Sequence, residues 1–480
     1  MIWTTVAFLA GRVVTFAALL VVTRKVSPGE FGIVAAILAY LAILELISDL
    51  GMRATVVYEQ DEGITRRVDV AFTLNVVFAV LLMLAGVLLA PLVAGFFGVA
   101  DHTWLFRLAA ANLLIGGLGN VHDGLLIREL HFRRRTGPLL VRGVVRGLVT
   151  VVFALAGLGA TALVLGLLAG SLAWAAMLWT LAPQHPRLCL DLGIARSMLA
   201  YGVGATALQG LAMIGSKLDV TIIGRVLGGH ALGVYALAYR IPELVIESVA
   251  WNVSAVAFPA LSRSRRDEEQ GVAHTTLALV RWQALYALPA ATGLAVLSRP
   301  LVLVLFGPAW SAAAGVLVAI AVAEMFAITI FPLGDALRAL GRQRHFIALQ
   351  CIVLPLLVVL IILAAPYGLV AVAWMRVVDI VCFTGGILAV SRRLLGIGPV
   401  ALGQAVAPGV AAALGVLAAA GGVRLGWPAD TAPALMTGIV AGIAGAALAL
   451  RVTAPQAWGD LGSVVERLRG ARHRAATATT

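Results

Sequence analysis

VVFAVLLMLAGVLLAPL, Val76–Leu92, carries no charged side chain over its whole length. A helix on the surface of a soluble domain keeps a polar face, and a barrel strand alternates apolar with polar residues. A run that is apolar on every side therefore reads as a helix surrounded by hydrocarbon. The rest of the chain agrees with it. Of 480 residues, 61% are apolar and 12% charged, whereas soluble domains are about a quarter charged. A soluble globular protein is excluded. At about 20 apolar residues per span, the chain can supply a dozen or more spanning helices with little left for an extramembrane domain. The net charge of +12 comes from residues dispersed between apolar runs, so it points to membrane topology and not to a nucleic-acid partner. Cys189, Cys351 and Cys382 have neither paired spacing nor a ligand cluster around them, which implies packing residues, no disulfide framework and no metal site. The first apolar run lacks a small-residue cleavage site and is followed by further spans, so it reads as a retained first helix.

Working outward from that run, breaks at charged, Pro and Gly positions give an all-α integral membrane chain of about fourteen helices. They are expected near 5–23, 31–52, 70–97, 104–126, 138–157, 160–182, 198–224, 231–260, 275–297, 309–333, 346–364, 367–390, 399–423 and 433–452. Two tight turns, Gly157 to Gly159 and Pro366 to Gly368, decide whether that count is even. Numbered alternately, one set of loops holds most of the arginines, among them Arg53, Arg66 and Arg67, Arg133 to Arg135, Arg263 to Arg266, Arg338 to Arg344, Arg392 and Arg393, and those of the tail. The other set has Arg24, Lys25, Arg225, Arg299 and Arg424. Positive loops stay cytoplasmic, which puts both termini inside.

A repeat is visible at a constant offset. RKVSPGEFGIVAA from Arg24 aligns with RVLGGHALGVYAL from Arg225, matching Gly32 with Gly233 and Ala35 with Ala236. Gly-containing turns between apolar helices also recur for steric reasons alone. Read as a true repeat, it implies two pseudo-symmetric six-helix lobes, 1–182 and 198–390, related by an axis along the membrane normal. Helices thirteen and fourteen, 399–452, are then appended, followed by a cytoplasmic tail, 453–480. In that tail Leu461, Val464, Val465 and Leu468 have the spacing of an interfacial helix.

An ionisable group in a span costs at least about 2.5 kcal/mol, so it normally faces a partner or a wet cavity. Arg12, Arg142, Arg146, Arg240 and Arg281 fall inside predicted helices, with Arg53 at the end of one. Glu45, Asp49, Lys217, Asp219, Glu243 and Glu247 do so too. Glu45, Asp49 and Arg53 share a face, as do Arg142 and Arg146, and Arg240, Glu243 and Glu247 form a third stripe. Guanidinium forks suit phosphate oxygens, which makes a phosphorylated or pyrophosphorylated headgroup the natural cargo of the arginines. The acids and Lys217 are candidates for ion coupling or gating. Against this stands a plain structural reading, in which Arg142 and Arg281 snorkel, Arg240 pairs with Glu243, and Asp219 satisfies nearby backbone. His122 beside Asp123 reads better as a packed, hydrogen-bonded histidine than as a proton relay. No phosphate loop for ATP appears, and no catalytic residue or resident cofactor is implied.

Several segments carry a family likeness: VSPGEFG from Val26, ELISDLGM from Glu45, LDVTIIGRVLGGHALGVYALAYR from Leu218, AFPALSRSRRDEE from Ala257, LVLVLFGPAW from Leu301 and ALRALGRQRHF from Ala336. In order and spacing they resemble the polysaccharide transporter family, the oligosaccharide flippases of the MOP superfamily. The resemblance implies a two-lobe bundle in the bacterial cytoplasmic membrane that alternates between inward-open and outward-open states. Its cargo would be a polyprenyl-pyrophosphate-linked oligosaccharide for cell-surface polysaccharide, with membrane lipids and a polysaccharide polymerase as further partners. By helix position the resemblance points to Arg12, Arg53 and Arg240 for the headgroup. Energy would come from H+ or Na+ exchange or from the membrane potential. The alternative is a cation-coupled multidrug and toxin extruder of the same superfamily, which favours twelve spans and an acidic cavity. A glycan ligase or polymerase would need a large external catalytic loop.

Overall fold

The computed structural model describes residues 15–49, 64–129, 131–182, 185–250, 253–254, 261 and 269–459. Among them every regular element is helical, the form in which a spanning segment satisfies its own backbone. The helices are α1 (15–23), α2 (Pro28–Asp49), α3 (Ile64–Phe96), α4 (Thr103–Arg128), α5 (Phe132–Leu155) and α6 (Ala160–Leu181). A long run, Leu192–Pro242, is broken at Gly228 (φ 83°, ψ 176°) into α7 and α8. Then come α9 (Glu269–Val296), a short helix Ser298–Phe306, α10 (Ala313–Ala339), α11 (Gln343–Ala364), α12 (Leu369–Leu395), α13 (Pro399–Gly426) and α14 (Ala432–Thr453).

Among the described residues eleven helices are long and apolar enough to cross a membrane, or twelve if α9 and the short helix bent 71° from it form one span. The protein is thus a multi-pass membrane protein. Both tight turns exist, and each uses a glycine where an L side chain would be strained: Gly157 (φ 82°) and Gly159 (φ 52°) between α5 and α6, Gly368 (φ 92°) between α11 and α12. Leu301 to Phe306, expected between helices nine and ten, is instead helical. The tail helix expected at 461–468 lies outside the described residues.

Two compact units divide between Ala236 and Leu237, inside α8. The division falls there because the start of α8 is fastened to earlier elements. Tyr235 donates to Asp219 of α7 at 2.7 Å, and a Cβ on Gly224 would meet Phe97 and Leu232 within 3 Å. In the first unit, Val68, Ala71 and Phe72 of α3 pack with Val121 and Leu125 of α4 and with Ala195 and Met198 of α7. In the second, α9, α10, α12 and α13 share a core around Val280, Leu333, Leu337, Ile387 and Ala405.

Lipid tails are as apolar as leucine, so helices in a bilayer associate by close approach more than by hydrophobic burial. Glycine supplies the approach. A Cβ on Gly415 of α13 would lie 2.3 Å from the Gly445 carbonyl oxygen of α14, and one on Gly445 would lie 2.3 Å from the Gly415 oxygen. Gly409 brings α13 equally close to Ala284 of α9. The α13–α14 pair is further tied by Asp430, which accepts from Arg299 at 2.9 Å and forms an ion pair with Arg424 at 3.2 Å.

The repeated turns meet in the first unit. Ser27 and Glu30 form a capping box at the start of α2, Ser27 N–H donating to Glu30 at 2.8 Å and Glu30 N–H to Ser27 Oγ at 3.3 Å. One turn on, a Cβ on Gly32 would lie 1.7 Å from the Gly229 oxygen, and one on Gly233 would lie 1.8 Å from the Pro28 oxygen. Under the alignment of the two turns, Pro28 corresponds to Gly229 and Gly32 to Gly233. The contact is therefore reciprocal.

Gly415→Ala is expected to lower stability by about 1–3 kcal/mol through overpacking of α13 on α14. Gly421→Ala, where a Cβ meets nothing within 4 Å, serves as control. Thermal unfolding in detergent checks it, and equal Tm for both variants contradicts the crossing.

Candidate functional site

In the first unit the basic side chains line up along α5. Arg135, Arg142 and Arg146 stand at i, i+7 and i+11, one face of a helix, with the last two about 10 and 16 Å along the axis from the first. Arg135 closes the α4–α5 turn by gripping buried Asp123 with two bonds, Nε at 2.7 Å and Nη2 at 3.0 Å. Deeper in, Arg142 donates to Ser171 Oγ at 3.3 Å. Its guanidinium lies 5.2 Å from the ring centre of buried Trp174, within cation–π range. Trp174 has room because it packs against Gly119 of α4.

The α5–α6 crossing depends on GLLAG, Gly166–Gly170. A Cβ on Gly170 would lie 2.7 Å from both the Arg142 oxygen and Arg146 Cβ, and one on Gly166 would lie 1.9 Å from Thr150 Oγ1. Two small residues four apart let the backbone of α5 sit against α6, which fixes the stems of Arg142 and Arg146 while leaving both side chains half-buried. The result is a pair of guanidinium groups held at membrane depth on one helix face, able to fork onto phosphate oxygens.

The acids sort differently. Glu45, on α2, is exposed and accepts from Asn112 Nδ2 of α4 at 2.7 Å. Asp219 is buried and held by Tyr235 and by the N–H of Val220, both at 2.7 Å, so it acts as a clamp between α7 and α8. Asp49 and Lys217 lie on helical backbone, and their side chains are outside the described residues, as are Arg12 and Arg53 entirely.

In the second unit Arg240 and Glu243 form the expected i, i+3 ion pair at 2.7 Å. The third stripe, however, is interrupted. Glu243–Glu247 is a π turn after Pro242, and the residue it adds rotates Glu247 off the Arg240–Glu243 face by about 100°, one helical step. Ser248 Oγ donates to the Glu243 oxygen at 3.0 Å and to that of Leu244, while Tyr286 of α9 donates to the Val245 oxygen. Arg281 is half-buried on α9. The structure thus brings Arg142 together with Arg146, and Arg240 together with Glu243.

Partners distant in sequence escaped the reading above. Arg135 reads as a loop arginine, yet it neutralises Asp123. Asp335 is buried at the end of α10 with Ser254 of the helical stretch 253–254 and with Arg338 at 2.5 Å. His122 is fully buried, its ring 4.6 Å from that of Trp179, packed as expected, but neither ring nitrogen makes the expected hydrogen bond among the described residues. The GLLAG spacing was the one signal in the sequence for the α5–α6 crossing.

Arg135→Ala is expected to cost about 3–5 kcal/mol by stranding a buried carboxylate, with part of the loss recovered in Arg135→Ala/Asp123→Asn. Unfolding in detergent reads both, and a double variant no better than the single contradicts the pairing.

A family described as "Polysaccharide biosynthesis protein" matches residues 21–315, more than half of the chain, and the protein belongs to it. Its relatives include "Teichuronic acid biosynthesis protein TuaB" of Bacillus subtilis (strain 168), 26% identical over 303 residues that cover 62% of each chain. Another is "Succinoglycan biosynthesis transport protein ExoT" of Rhizobium meliloti (strain 1021), 26% identical over 296 residues, 62% of this chain and 60% of that one. The matched stretch is therefore less than two thirds of either relative. The fold is similar to "Lipid II flippase MurJ, inward closed conformation", with a TM-score of 0.77 at 13% identity, covering 94% of this chain and 99% of that one. At that identity the likeness concerns the fold alone.

Proposed function

We propose that the protein is a flippase, not an enzyme, which moves a polyprenyl-pyrophosphate-linked oligosaccharide from the inner to the outer leaflet of the bacterial cytoplasmic membrane for cell-surface polysaccharide. The observation that carries this reading is the Arg142–Arg146 pair, held half-buried on a spanning helix in a member of a polysaccharide biosynthesis family. An anionic headgroup lowers the cost of keeping two guanidinium groups at that depth, and they in turn give it a path through hydrocarbon.

The proposal includes fourteen spans, both termini cytoplasmic, and two six-helix lobes that alternate in access. The reciprocal approach of Gly32 and Gly233 supports the repeat on which the lobes rest. In this reading Arg12, Arg53, Arg240 and Arg281 join Arg142 and Arg146 along the headgroup path, and Glu243 must release Arg240 for it to take part. An inside-negative potential would favour outward movement of an anion by about 2.3 kcal/mol per uncompensated charge per 100 mV. Exposed Glu45, with Asp49 and Glu247, are the candidates for H+ or Na+ exchange. A polysaccharide polymerase would consume the cargo on the far side.

The test is leaflet exchange of a fluorescent polyprenyl-pyrophosphate oligosaccharide in liposomes. Each charged hydrogen bond lost is worth about 1.5–3 kcal/mol, so Arg142→Ala/Arg146→Ala should slow exchange by at least about tenfold, with Arg12→Ala and Arg240→Ala also slowed. Exchange indifferent to all four substitutions overturns the arginine path. No exchange with several glycans under an imposed potential favours the drug and ion antiporter.

A further inference from the structure

The segment between α6 and α7 has no part in the headgroup path, yet it is bound closely to the first unit. Residues 185–191 are not helical. The N–H of Arg187 donates to Asp69 of α3 at 2.7 Å, and that of Cys189 donates to Thr73 Oγ1 at 2.8 Å. Donors two residues apart that face the same helix mark an extended strap, whose successive side chains point to opposite faces. Cys189 faces inward, against the core that α3, α4 and α7 share. Asp191 closes the strap by pairing with Arg66 at 2.9 Å and accepting the N–H of Gly193 at 3.0 Å, in the first turn of α7. The opposite face is left with Leu188, Leu190 and Leu192, which are 74%, 67% and 75% exposed.

Large apolar side chains in a row on one exposed edge call for a partner, and depth identifies it. α6 has 22 residues, about 33 Å at 1.5 Å each, against about 30 Å of hydrocarbon. Its last turn therefore stands at the membrane boundary. Trp179 lies in that turn, and His185 of the strap stacks on it with ring centres 6.1 Å apart. On the other side, Asp69 and Thr73 belong to the polar start of α3, just before the uncharged run Val76–Leu92. Both anchors put the leucines where headgroups give way to acyl chains. Charge agrees with depth. Arg187 and Arg196 flank the leucines, are exposed, and make no ion pair among the described residues. An apolar edge bordered by unpaired guanidinium groups is the pattern of a segment lying in the interface of an anionic leaflet.

We propose that the strap is an interfacial anchor: it seats Leu188, Leu190 and Leu192 among the acyl chains of the leaflet on its side and draws anionic phospholipid headgroups to Arg187 and Arg196. The occupant is the surrounding anionic lipid and not the cargo, so the inference stands apart from the flippase reading. The strap joins α6 to α7, and its hold on the leaflet fixes the depth of both helix ends.

The experiment uses the full chain in lipid nanodiscs with Cys189→Ala, Cys351→Ala and Cys382→Ala, and a fluorophore on one new cysteine. The new cysteine is Leu188→Cys, Leu190→Cys or Leu192→Cys, with Gln343→Cys at the exposed start of α11 as the aqueous control. Iodide probes water, and phospholipids with a nitroxide near the glycerol end of an acyl chain probe the leaflet. Burying one leucine side chain shifts an equilibrium by about tenfold or more, so iodide is expected to quench the strap labels about tenfold less than the control. The nitroxide lipids should quench them more. Nitroxide phosphatidylglycerol should outdo nitroxide phosphatidylcholine by about fivefold, the enrichment that one arginine near the surface gives, and Arg187→Gln/Arg196→Gln should erase that preference. Iodide quenching equal to the control overturns the proposal by placing the strap in water. Shielding from both quenchers overturns it by placing protein there, from this chain or a second copy. Equal quenching by the two lipids overturns the part given to the arginines. On the native chain, phosphatidylglycerol with a diazirine near its glycerol should label the peptide containing Leu188 to Leu192. Absence of that label overturns the proposal even if Cys189→Ala loosens the strap.

Discussion

An ionised side chain cannot stand alone in hydrocarbon, and the arrangement of both units follows from that constraint. Asp123 meets Arg135, Asp219 meets Tyr235, Asp379 meets Arg376 at 3.4 Å, and Asp335 meets Ser254 and Arg338. Each of these acids is buried and spoken for by a donor within its own unit. Three of them join separate elements, α4 to α5, α7 to α8, and α10 to the stretch 253–254, while Asp379 pairs within α12. What stands apart is the set that keeps some exposure, Glu45, Arg142, Arg146, Arg240 and Arg281. The fully buried acids act as clamps, whereas this set keeps an exposed side from which a charged cargo can be met.

The second organising element is backbone approach. Gly166 and Gly170 set the arginine helix against α6, Gly415 and Gly445 weld α13 to α14, and Gly32 and Gly233 bring the two copies of the repeated turn together. In each case a methyl group would collide with a carbonyl oxygen or a neighbouring side chain. Glycine is thus the residue that replaces the hydrophobic effect as the determinant of who packs on whom.

Much of this was legible from the chain alone. The helices of the described residues, the two glycine turns and the Arg240–Glu243 pair follow from hydropathy and i, i+3 spacing, which are local. The rest is not local. Asn112 is 67 residues from Glu45, and Asp335 is 81 from Ser254, and no periodicity announces such partners. The π turn at Glu243–Glu247 has no side-chain signature, so a stripe drawn with an α-helical period placed Glu247 on the wrong face. Leu301 to Phe306 is short and apolar enough to read as a loop between spans, yet it folds as a helix bent from α9. The two C-terminal helices looked appended by number, but Gly409 against Ala284 makes α13 part of the core of the second unit.

The central claim is that Arg142 and Arg146 form an anion site within the membrane. Calorimetry of a short-chain prenyl pyrophosphate binding to the purified protein in detergent tests it most directly, comparing the native chain with Arg142→Ala/Arg146→Ala across a range of salt. The account predicts saturable binding that weakens with salt and is lost in the double variant. Equal binding by both proteins would contradict it.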